Sequence, residues 1–102
     1  MLDIDAGYHG TRCEVAVGDT FHVTLDETPT TGYRWQLLLG DKPLCVLIES
    51  TFEPGGQTPG LGGKHHWTFQ AAEAGLTQLE FTSRRSWEKE GERRFQVGLL
   101  IR

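Results

Sequence analysis

Little in this 102-residue chain could staple it or anchor it. It has two cysteines, Cys13 and Cys45. Two are too few for a disulfide framework, and their separation fits no metal-binding pattern. The strand reading below turns Cys13 inward and leaves Cys45 out of phase with Leu44, Val46 and Ile48. Two buried or half-buried free thiols are therefore expected; a bridge would need neighbouring strands with suitable Cβ geometry. The net charge is −4, whereas general nucleic-acid binders usually show a basic balance. No apolar run approaches the ~20 residues of a helical membrane span. The opening Met1-Leu2-Asp3-Ile4-Asp5 carries two acids and no basic, apolar signal pattern. That leaves a cytoplasmic chain, or a mature form already freed of a leader.

What is present fits one soluble domain over residues 1–102. Hydrophobic residues make up 37% and charged residues 24%, which argues against disorder. The length suffices for a core without metal or disulfide support. Thirteen glycines against a single methionine suit a turn-rich β protein better than a helix bundle. No internal repeat or linker marks a second domain.

Residues 1–11 read as an irregular lead-in. Beyond them, apolar and polar residues alternate in short runs, the mark of half-buried strands. The first run spans 12–17, with Cys13, Val15 and Val17 on one face. The second spans 20–25, with Phe21, Val23 and Leu25 in phase. The third spans 33–39 (Tyr33, Trp35, Leu37, Leu39), and the fourth 44–52 (Leu44, Val46, Ile48, Phe52). The fifth spans 64–71 (Trp67, Phe69, Ala71), the sixth 76–83 (Leu79, Phe81), and the last 92–102 (Phe95, Val97, Leu99, Ile101). About seven antiparallel strands separated by frequent turn signals predict an all-β, immunoglobulin-like β-sandwich. Trp35 stands where such sandwiches often bury an aromatic. The paired cysteines of antibody domains are missing.

Strand parity then sorts the connections. If successive strands alternate in direction, the connections after the second, fourth and sixth strands share one end. The opposite end has ordinary turns: Gly18-Asp19, Gly40-Asp41-Lys42-Pro43 and Ala72-Glu73-Ala74-Gly75, the last also compatible with one helical turn. The first end has unusual ones. Thr28-Pro29-Thr30-Thr31-Gly32-Tyr33 is short and stiff, because Pro29 fixes its own φ and biases Thr28 toward extended geometry. Thr30 and Thr31 are restricted at χ1, and Gly32 permits close backbone approach. Residues 53–63 form a long Gly- and Pro-rich loop. Residues 84–91 form a charged loop around Trp87. Long loops on a rigid sandwich are a common way to build a binding surface. Trp and Arg are enriched at binding hot spots, although Trp87 could instead fold back over the sandwich end.

These three segments resemble the signature of the chagasin-type inhibitors of papain-like cysteine peptidases. The family pattern runs Asn-Pro-Thr-Thr-Gly-Phe/Tyr, then Gly-x-Gly-Gly, then Arg-Pro-Trp. Here it reads Thr28-Pro29-Thr30-Thr31-Gly32-Tyr33, then Gly60-Leu61-Gly62-Gly63, then Arg85-Ser86-Trp87. Thr28 replaces an amide that could brace the first loop, and its hydroxyl can do part of that work. Ser86 replaces a proline, leaving the third loop less stiff. The resemblance covers roughly residues 12–102. It implies a three-loop wedge. Thr30, Thr31 and Gly32 would form the tip over the catalytic Cys–His pair of the peptidase. Gly60, Leu61, Gly62 and Gly63 would lie backbone-close on one side, and Arg85 and Trp87 would anchor the other. It further implies a monomer with a papain-like cysteine peptidase as partner, no enzymatic activity of its own, and no cofactor.

Two other classes are weighed against this. An enzyme needs a nucleophile, a base and an orienting group within reach, and His9, His22, His65 and His66 fit no metal-ligand spacing. His65 and His66 are adjacent, so on a strand they face opposite ways. An adhesion or carbohydrate-binding module could use Trp87, Trp67 and Tyr33 for stacking, but the alternation assigns Trp67 to the core. Sugar binding should survive Thr31→Arg, whereas a cleft wedge should not.

Overall fold

Large apolar residues recur at every second position in four segments, and these four build the centre of the molecule. A computed structural model describes residues 2–27, 34–38, 43–55, 62–84 and 93–102. The strands are β1 (Leu2–Ile4), β2 (Arg12–Val15), β3 (Thr20–Glu27), β4 (Arg34–Leu38), β5 (Cys45–Pro54), β6 (Gly63–Ala71), β7 (Gly75–Arg84) and β8 (Arg93–Ile101). They form two four-stranded sheets, ordered β1-β3-β6-β5 and β2-β8-β7-β4. β1 runs parallel to β3 and β2 parallel to β8, and all other pairings are antiparallel. This is the expected sandwich, with eight strands among the described residues rather than about seven.

The inward faces meet in an aromatic seam. Phe21 stacks on Phe69 with ring centroids 5.4 Å apart, and Trp67 meets Phe81 of the other sheet at 4.6 Å. Phe81 also meets Phe95 at 6.0 Å. Leu79, Val97, Leu99 and Ile101 extend this core along the second sheet, and Val23 and Leu25 along the first. Each fully buried apolar side chain contributes about 1.5–3 kcal/mol, and aromatic pairs in tilted or offset geometry add about 0.5–1.5 kcal/mol. Trp35 and Leu37 are half-buried and pack on the core from the edge strand β4.

Three expectations are corrected. The lead-in is not irregular throughout: Leu2–Ile4 is a strand, followed by a 3-10 turn at Ala6–Tyr8, and Ile4 is buried in the core. A three-residue strand shows too little alternation to stand out, and its parallel partner is distant in sequence. The first long run ends at Val15. The Asp19 carboxylate accepts the Ala16 N–H at 2.9 Å and turns the chain, leaving Val17 half-exposed.

The third correction concerns β5, whose phase is reversed at Val46 and Ile48, while Leu44 still packs on the core and Phe52 keeps the inward side. Cys45 is buried, while Val46 and Ile48 are 55% and 56% exposed. The register with β6 shifts between Leu47 and Glu49. This bulge places one extra residue in β5 and changes its phase. Leu47, Ser50 and Phe52 therefore stand opposite Phe69, Trp67 and His65. Both thiols are free, with Cys13 half-buried and Cys45 buried. Burial pushes both thiol pKa values up, and for Cys13 a hydrogen bond with Thr11 partly offsets it.

Candidate functional site

The antiparallel registers bring the feet of all three unusual connections to one end. Glu27 stands opposite Gly63, and Gly63 opposite Pro54. In the second sheet Arg34 stands opposite Arg84, and Ser83 opposite Arg93. The parity deduced from the sequence thus holds for the feet. Of the expected site residues, Gly62 and Gly63 lie among the described residues. Thr28, Pro29, Thr30, Thr31, Gly32, Tyr33, Gly60, Leu61, Arg85, Ser86 and Trp87 lie outside them.

Gly63 owes its identity to packing. A Cβ there would overlap the Glu53 carbonyl oxygen and lie 2.8 Å from the Phe52 ring. Gly62 accepts the Gly55 N–H through its carbonyl at 3.1 Å, which extends the β5–β6 pairing beyond Pro54 and Gly63. The second loop thus leaves from a closed backbone base.

The first loop leaves from a side-chain base. β3 belongs to one sheet and β4 to the other, so no ladder joins them. Instead the Trp35 backbone N–H donates to Glu27 Oε2 at 2.7 Å, and its indole Nε1–H donates to the Asp26 carbonyl at 2.7 Å. Glu27 is a buried carboxylate with 4% of its side chain exposed. Its other oxygen, Oε1, lies 3.2 Å from His65 Nδ1. A carboxylate only accepts, so Nδ1 carries a hydrogen, and Nε2 on the far side of the ring lies 2.6 Å from the Ser50 hydroxyl oxygen. The His65 ring lies flat on Trp67, 4.0 Å between centroids and 4° between planes.

The remaining foot joins the same cluster. The Arg93 guanidinium stands 5.5 Å from the centre of a Trp35 ring, within cation–π range. Leu25, Asp26, Trp35, Arg93 and Phe95 line a cleft of 210 Å³ between the sheets here. On the outer face, Lys64 pairs with Asp26 at 3.2 Å, while His66 bridges Thr24 and Glu53 at 3.0 Å each. His65 and His66 do point to opposite faces, as their adjacency requires. Trp67 is a core residue, 3% exposed, and offers no platform for a sugar.

Sequence reasoning did not find Glu27, His65 or Ser50 as a group. One signal was available. Glu27 continues the inward phase of Phe21, Val23 and Leu25, so an acid stands at a core-facing position. The run read from the sequence stops at Leu25, which leaves Glu27 outside it.

No curated sequence matches the chain. Among solved structures, a cysteine protease inhibitor of Entamoeba histolytica, EhICP2, superposes with a TM-score of 0.85 at 18% identity, covering 99% of this chain and 94% of that one. Amebosin superposes with a TM-score of 0.69 at 22% identity, covering 99% and 97%. PbICP-C, solved in complex with falcipain-2, gives 0.70 at 11% identity over the full length of both. At these identities the likenesses speak for the fold. The family model described as chagasin family peptidase inhibitor I42 matches residues 14–99, nearly all of the sandwich and all three connections, and the chain therefore belongs to the chagasin family of peptidase inhibitors.

Proposed function

We propose that the chain is a reversible inhibitor of papain-like cysteine peptidases, closing the active-site cleft with three loops from one end of the sandwich. The observation that carries this is the convergence of the feet: the three segments bearing the family motifs leave the scaffold side by side. PbICP-C was solved with falcipain-2 bound, which supports a peptidase as partner. A protein that blocks a cleft needs no chemistry of its own, and nothing in this role calls for a cofactor.

Thr30, Thr31 and Gly32 would be the tip. Small side chains enter a narrow cleft, and Thr28 and Pro29 limit the conformations to be lost on binding. Gly60, Leu61, Gly62 and Gly63 would flank one side, where main chain can pair with main chain. Arg85, Ser86 and Trp87 would flank the other, with Trp87 stacking on an aromatic of the enzyme. Tyr33 would seat the exit of the tip beside Arg34. Three loops of one chain suffice for a standard interface of about 800 Å² per partner, so a monomer is enough.

The test is titration of the purified protein against papain with a fluorogenic peptide. Stoichiometric loss of activity is expected, and Thr31→Arg should abolish it by placing a long cation in the cleft. A folded protein with no effect at micromolar concentration would overturn the reading.

A further inference from the structure

We propose that Glu27 is the positioning residue of the inhibitory end, acting through Trp35 and His65 rather than by touching the peptidase. The proposal rests on the inhibitor reading for its effect on affinity. Its structural half stands independently.

The argument begins with what holds the feet of residues 28–33. One foot ends a strand of the first sheet and the other begins a strand of the second. Backbone pairing cannot join them. Two hydrogen bonds do so, from Trp35 N to Glu27 Oε2 and from Trp35 Nε1 to the Asp26 carbonyl, both at 2.7 Å. The same carboxylate reaches His65, two residues past the foot Gly63 of the second loop. His65 is itself fixed by Ser50 and by the face of Trp67. Arg93, the first residue of β8 after the third loop, covers Trp35. One carboxylate therefore links the bases of all three connections, directly to two and through Trp35 to the third.

The energetics indicate position rather than stability as its role. Burying an acid is costly, and well-packed apolar residues at such sites are often as good or better for stability. A buried, bonded carboxylate does fix geometry, because its two oxygens accept along defined directions. A wedge whose loops are ordered beforehand loses less entropy on binding. Freeing the feet should therefore appear in affinity and in local protection, and less in the melting temperature.

The test compares Glu27→Leu, Glu27→Gln and His65→Phe with the parent, and uses Gly18→Ala at the opposite end as control. Folding is checked by circular dichroism at the assay temperature. Two quantities are read: Ki against papain, and hydrogen exchange of the Trp35 backbone amide. Glu27→Leu should raise Ki at least tenfold and speed Trp35 exchange at least tenfold. Glu27→Gln keeps a carbonyl for Trp35 and turns an amide N–H toward His65 Nδ1, which accepts it once the ring hydrogen sits on Nε2 and is donated to the Ser50 hydroxyl oxygen, and it should stay within about threefold of the parent on both. His65→Phe keeps the stack on Trp67 and drops the bond to Glu27, so a smaller loss in the same direction is expected. It also serves if Glu27→Leu does not fold. Gly18→Ala should leave both readouts unchanged.

A folded Glu27→Leu with parental Ki and parental exchange overturns the proposal. So does a Glu27→Gln as impaired as Glu27→Leu, since charge rather than bond geometry would then be the cause. If the parent does not inhibit papain, the inhibitor reading fails, and Trp35 exchange alone decides the positioning role.

Discussion

The two ends of the sandwich are closed by different means. At the turn end the main chain does most of the closing, with the Asp19 carboxylate taking the Ala16 N–H. Gly18 N–H donates to the Ala71 carbonyl at 2.8 Å, Ala71 N–H returns to the Asp19 carbonyl at 2.9 Å, and Ala72 N–H reaches the Leu44 carbonyl at 2.8 Å. Val17 and Arg102 are joined the same way at 3.0 Å. At the loop end, among the described residues, a backbone bond from Gly55 to Gly62 closes the base of the second connection, and side chains join the other feet: Glu27, Trp35, His65, Ser50 and Arg93. Backbone closure tolerates many side chains, whereas side-chain closure depends on particular ones. One end is thus set up to be stable and the other to hold a chosen shape. Stability and affinity should therefore respond to different substitutions.

The largest effect should come from Phe81→Ala, which opens the seam that both ends share. A loss of about 3–5 kcal/mol is expected in urea unfolding, with Ki unchanged under conditions where the chain is still folded. Gly63→Ala comes next. Its Cβ meets backbone that cannot step aside, so about 1–3 kcal/mol should be lost, and the displaced foot should weaken inhibition as well. Gly18→Ala is its counterpart at the turn end. Gly18 has φ +93° with open space around it. The cost there is purely conformational, about 1–2 kcal/mol, and Ki should not move. Equal losses of affinity from Gly63→Ala and Gly18→Ala would erase the distinction between the ends.

Smaller effects sharpen it further. Lys64→Ala removes an exposed pair with Asp26, and stability should change by less than about 0.5 kcal/mol. The two thiols report on burial. Their folded pKa values lie above the unfolded ones. Their contribution is therefore complete below the ordinary thiol value of about 8.5. It is lost as pH rises through the higher folded values, because the unfolded chain ionises first. Urea midpoints should fall in that alkaline window, and a Cys13→Ala, Cys45→Ala double variant should show a shallower fall.

Legibility in the sequence followed burial. β3, β6, β7 and β8 are inner strands with a strict inward phase, and Phe21, Trp67, Phe81 and Phe95 are where alternation places them. The edge strands were harder. β5 carries a bulge that no local pattern announces, and β1 is too short to declare a phase. Parallel pairing joins residues far apart in sequence, such as Cys13 and Leu99, and leaves no local trace. At the site, parity located the three feet correctly. The clamp was missed because a strand-terminal glutamate resembles the start of a loop until its partner across the sheets is known.

The bulge in β5 has a consequence for how the molecule behaves at high concentration. An exposed sheet edge is a template for another strand, and Val46, Leu47 and Ile48 would make an adhesive one. The phase break between Leu47 and Glu49 means that an incoming strand matched to the apolar half is mismatched with Glu49, Ser50 and Thr51 beyond it. Pro54 withholds a donor at the far tip. A strand that pairs with the apolar half therefore loses its match beyond the bulge, which opposes extension of the pairing toward Pro54.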